Sequence, residues 1–73
     1  MTFDFTSLYE EHFDHLVAIA VLQFRVPEAE AETLAHEVFL SFLLASRRVR
    51  DSEQWLNGAM RCAARNFVAG RSA

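Results

Sequence analysis

Pro27 is the only proline in this chain, and Gly58 and Gly70 are its only glycines. Residues that break helices are therefore confined to three positions, and the apolar residues between them recur at helical spacing. Pro27 stands where one periodic stretch ends and the next begins. This is the pattern of an all-α domain, and the spacing predicts three helices near residues 5–24, 27–46 and 53–69. Short connections between them imply a compact three-helix bundle. The first helix is expected to begin near Asp4 or Ser7, with Ser7 and Glu10 placed to form a capping box. Phe5, Leu8, Tyr9, His12, Leu16, Ile19 and Ala20 then share its inner face. The second opens with Pro27 in its first turn and Glu28, Glu30 and Glu32 near the positive end of the helix dipole. Its inner stripe is Ala31, Leu34, Ala35, Val38, Phe42 and Ala45, with Leu34, Val38 and Phe42 expected in the core. Asp51 or Ser52 can cap the third, which carries Trp55, Leu56, Ala59, Met60, Ala63 and Phe67 on one side and should stop near Gly70.

Size limits what such a bundle can do. A chain of 73 residues makes one domain, and a domain this small buries only about 60% of the surface its unfolded chain exposes. A deep catalytic cleft would exhaust the core, so a binding role is expected and an enzyme is not. The longest apolar run, Leu16 to Leu22, is far shorter than the roughly 20 residues that cross a bilayer, and no membrane partner is expected. Cys62 is the only cysteine, which rules out an internal disulfide and fits a reducing, cytoplasmic location. It is expected on the apolar side of the third helix as a small core residue. His12, His15, His36 and Cys62 show no short ligand spacing of the kind zinc sites use, so neither a metal nor another cofactor is expected. His12 falls on the core-facing arc, His15 at its edge, and the pair Glu10 and Glu11 reads as a solvated acidic face.

Two features exceed what a core requires. Residues 1–37 carry eight acids and one arginine, whereas residues 38–73 carry six arginines and two acids. The first half is unsuited to nucleic acid; the second could meet phosphate. In the second helix, Leu40, Leu43 and Leu44 fall opposite Val38 at about 100° per residue, on the same side as Thr33, His36 and Glu37. Three outward leucines point to a surface that binds a partner or a second copy of the chain. In the third helix, Asn57, Arg61 and Arg65 follow at i, i+4 spacing, with Arg47, Arg48 and Arg50 in the turn before it. Five guanidinium groups and an amide around one helix face suit a phosphate backbone, and Trp55 offers a stacking surface.

The residues that carry these features also form a known pattern: Leu8-Tyr9 with His12-Phe13 and Leu16, then Glu30 through Leu40, then Val49-Arg50-Asp51 leading to Trp55-Leu56 and Arg61. The chain resembles the second conserved region of bacterial RNA polymerase sigma factors of the extracytoplasmic-function group, over nearly all of residues 1–73. The resemblance implies a helical domain whose second helix docks on the clamp helices of the largest polymerase subunit, through Thr33, His36, Glu37, Leu40 and Leu43. It implies that Arg47, Arg48, Arg50, Trp55, Asn57, Arg61 and Arg65 engage the minus-ten promoter element. Thr33, His36 and Cys62 stand where the family commonly has an acid, a glutamine and an asparagine, which implies weakened polar contacts with polymerase and DNA. With the unfavourable overall charge, Cys62 leads to an expectation of weak DNA binding in isolation. The loop before Trp55 lacks the Gly- and Ser-rich insertion of many members, and the family's second promoter-binding domain has no counterpart here. The alternative is a sigma-like interaction module that pairs with itself or with an anti-sigma-type partner and leaves DNA untouched.

Overall fold

The computed structural model describes residues 5–45 and 49–72, and among these every regular element is helical. Helix α1 spans Phe5–Ala18 and passes directly into a π-helical segment, Ile19–Gln23; α2 spans Glu28–Ala45 and α3 spans Ser52–Ser72. The three expected helices are present, and their local determinants are visible. The carbonyl of Pro27 accepts the first intrahelical bond of α2, from the Ala31 N–H at 2.8 Å, and Glu28 and Glu30 occupy the first turn, where carboxylates complement the dipole. Asp51 caps α3 twice: its Oδ1 accepts from the Gln54 N–H at 3.1 Å and its carbonyl from the Trp55 N–H at 3.0 Å. Such a cap answers backbone donors that the first turn would otherwise leave without partners.

Three boundaries differ from expectation. Ser7 lies inside α1, which has begun by Phe5, so a capping box with Ser7 at the helix start is not formed. The first helix does not keep α-geometry to residue 24; its last turn is widened over Ile19–Gln23. The cause lies in how the chain leaves it. Arg25 is left-handed, at φ 57°, and the closing bonds run from Arg25 N–H to the Val21 carbonyl and from Val26 N–H to the Ala20 carbonyl, both 3.1 Å. Each loop is one residue longer than in the ordinary Schellman closure of an α-helix. The extra residue turns Val26 inward, where it is buried, before Pro27 starts α2. At the other end, α3 continues through Gly70 to Ser72. Gly70 has no positive φ, so the left-handed stop that glycine permits is not made there.

The core is entirely apolar among the described residues: Leu16, Ile19, Ala20, Val26, Ala31, Ala35, Val38, Phe39, Phe42, Leu56, Met60 and Ala64. Ala31 and Ala35 keep the first half of α2 slim, while Phe39 and Phe42 fill the space beside its second half. Phe39 lies outside the expected inner stripe, yet it is buried because the Tyr9 ring of α1 covers it at 4.8 Å between centroids. Phe42 is covered from the other side by Trp55 of α3, edge-on at 5.6 Å. Helix α2 is thus flanked by both neighbours and buries a wider arc than one stripe. Leu34, expected in the core, is only partly buried and packs at its margin. Among the described residues no helix is long and apolar enough to cross a membrane.

Candidate partner and nucleic-acid interfaces

The outer side of α2 is built by the same periodicity that builds its core side. With Ala31, Ala35, Val38 and Phe42 turned inward, the residues half a turn away must face out, and Thr33, His36, Glu37, Leu40, Leu43 and Leu44 are all exposed. Leu40 is 62% exposed, Leu43 43% and Leu44 93%. Leaving large aliphatic side chains in water forgoes roughly 1.5–3 kcal/mol for each that a partner could bury fully. The polar members of this face are not equivalent. Thr33 turns its hydroxyl back to donate to the Ala29 carbonyl at 3.2 Å. His36 leans on α1: the Tyr9 hydroxyl lies 3.2 Å from both ring nitrogens, and the Phe13 ring is 5.3 Å from the imidazole. His36 therefore ties α1 to α2 along one edge, while Glu37 stands free of that cluster on the outer face.

The α3 side is different in kind. Arg50, Arg61 and Arg65 are exposed, and Asn57 lies half-buried between Gln54 and Arg61 on a shallow cleft of about 520 Å³ lined by Asp51, Glu53, Gln54, Asn57, Gly58 and Arg61. The Oδ1 atom of Asn57 is buried without a hydrogen-bond partner, an arrangement that costs about 1–3 kcal/mol. Trp55 is partly buried with its ring against Phe42, and one edge borders a second cleft with Val49, Arg50, Asp51 and Gln54. Arg47 and Arg48 lie outside the described residues.

Neither a family model, nor a curated protein, nor a solved structure matches this chain. The interfaces must therefore be judged on their own chemistry. Two acids, Asp51 and Glu53, stand inside what the charge count presents as an arginine cluster. Gln54 and Gly58 belong to the cleft as well, although neither carries a charge or an apolar signal that singles it out in the sequence. The period of α3 would have placed both beside Asn57 and Arg61. Cys62 corrects an expectation: it is exposed, and its Sγ accepts a long bond from Asn66 Nδ2 at 3.8 Å. It sits on the flank of α3, where the core formed by Leu56, Met60 and Ala64 does not reach. His12 is half-buried and His15 exposed. Among the described residues no group of three or more His, Cys, Asp or Glu side chains is placed to hold a metal ion.

Proposed function

We propose that this domain is a sigma-factor-like transcription initiation module that docks on the clamp helices of RNA polymerase through the outer face of α2 and meets promoter DNA through α3. The observation that carries the reading is the surplus of α2: Leu40 and Leu44 remain exposed although Phe39, Phe42 and Val38 already satisfy the bundle. A contiguous aliphatic patch beside Thr33 and Glu37 fits a helical protein partner that brings apolar side chains together with donors for the Glu37 carboxylate. The resemblance in sequence names the partner, and it puts the arginines of α3 on the side that would face DNA. The acids Asp51 and Glu53 at the start of α3 support weak rather than tight DNA binding by the isolated domain.

Binding to purified core polymerase is the direct test. Leu40→Glu and Leu43→Glu are expected to leave the helical circular dichroism unchanged and abolish association; equal binding by wild type and both variants would sink the assigned face. For DNA, Arg61→Ala or Arg65→Ala should each lower the slope of log affinity against log salt by roughly 0.7–0.9. A second reading, in which the same leucines join two copies of the chain or an anti-sigma-type helix, is favoured by the net charge of −3, which opposes DNA binding. A dimer that grows with concentration and is not retained on heparin would select it.

A further inference from the structure

Gly58 is the seventh residue of the 21-residue helix α3. It is exposed, its φ is not positive, and a Cβ added to it would meet nothing within 4 Å. Neither backbone conformation nor packing within the chain requires glycine at this place. Glycine in an exposed helix interior is nevertheless less stable than alanine, because its unfolded backbone has more freedom to lose. Gly70 has equally open surroundings, but it stands near the end of α3, where helices fray. Directly before Gly58, Asn57 is a poor helix former and buries its Oδ1 atom without a partner. Two successive residues that weaken α3 thus lie on the same cleft, between Gln54 and Arg61. Local rules broken together, without a gain inside the fold, mark a place shaped for something outside it.

We infer that Gly58 is a close-approach point at which a single nucleic-acid strand lies directly on the backbone of α3, with sugar and base over Gly58 and phosphates toward Arg61 and Arg65. The inference rests on the nucleic-acid reading of α3 proposed above and adds the contact that reading lacks. Charge along the helix sets the strand's placement. Asp51 and Glu53 repel phosphates from the first turn of α3, whereas Arg61 and Arg65, about two and three turns further on, attract them. Only the less charged part of the strand can then rest over the intervening Gly58. A side chain at residue 58 would stand in the cleft that the bare backbone now leaves open.

The test compares Gly58→Ala, Gly70→Ala and Arg61→Ala in the full chain, with thermal unfolding and the affinity for a short single-stranded DNA oligonucleotide at low salt. Gly58→Ala is expected to raise Tm by about 4 °C or more while weakening the oligonucleotide about tenfold. Gly70→Ala should leave affinity unchanged, which separates occlusion of the cleft from stiffening of the helix. If Gly58→Ala binds as tightly as wild type while Arg61→Ala binds more weakly, close approach is overturned and the nucleic-acid reading stands. A lower Tm for Gly58→Ala would also overturn it, since the glycine would then serve the fold. Wild type without measurable, salt-dependent binding would remove the nucleic-acid reading and this inference with it.

Discussion

Helices α2 and α3 pack against each other, yet they divide their surfaces differently. Helix α3 is one-sided: Leu56, Met60 and Ala64 are buried and the opposite face carries Gln54, Gly58, Arg61 and Arg65 in water. Helix α2 is apolar on both sides, with Val38, Phe39 and Phe42 buried and Leu40 and Leu44 exposed. The buried side of each is explained by the bundle itself. Among the described residues α2 has the larger apolar remainder, three exposed leucines against Val68 alone on α3, and apolar surface without use inside a fold is a liability unless a partner covers it. The polar side of α3 departs from thrift in another way, through an unpartnered amide oxygen and a bare backbone. A protein partner is therefore to be sought on α2 and a polar ligand on α3.

Substitutions of the same chemistry on opposite sides of α2 probe this contrast most strongly. Val38→Asp would bury a carboxylate in a core that holds no polar side chain among the described residues. It should cost several kcal/mol, on the order of the whole stability of so small a domain, and circular dichroism should show the helices lost. A folded Val38→Asp variant with unchanged Tm would break the assignment of an inner and an outer side. An intermediate effect is expected on α3, where Asp51→Ala removes the cap on the Gln54 N–H and should cost about 1 kcal/mol. Because this change also removes an acid from the cleft, it should tighten rather than weaken a phosphate-bearing ligand, and titration of the oligonucleotide checks the sign. The smallest effect belongs to Leu44→Asp, which lies within about 0.5 kcal/mol of wild type if the outer face is free in solution. A large loss of stability there would mean that α2 is already covered, by a second copy, and Tm would then rise with protein concentration.

The two interfaces were not equally legible in the sequence. The outer leucines of α2 could be read because a helix has a fixed period: once Val38 faces in, Leu40 and Leu44 face out. The arginines of α3 were legible for the same reason. The character of the cleft was not. Asp51 and Glu53 line the same cleft as Asn57 and Arg61, with the Asp51 carboxylate held at the helix start by the Gln54 N–H. The orphaned Oδ1 of Asn57 is a property of its surroundings, and Gly58 is informative only once nothing is found near its missing side chain. Cys62 was misjudged because a residue on the flank of a helix is buried or exposed according to whether a neighbour reaches it.

The number of helices, the break at Pro27, a cap at Asp51 or Ser52 and the surplus of aliphatic residues on α2 were determined by the sequence alone. They depend on backbone hydrogen bonding and on spacing within a few residues, which the chain carries wherever it goes. Tertiary structure decided how wide an arc of α2 is buried, drawing in Phe39 through Tyr9 while leaving Leu34 at the margin. It also decided the widened turn over Ile19–Gln23, where burying Val26 requires one more residue than an α-helix would use. Burial on two flanks depends on the approach of α1 and α3 from either side, and no period within a single helix contains that information.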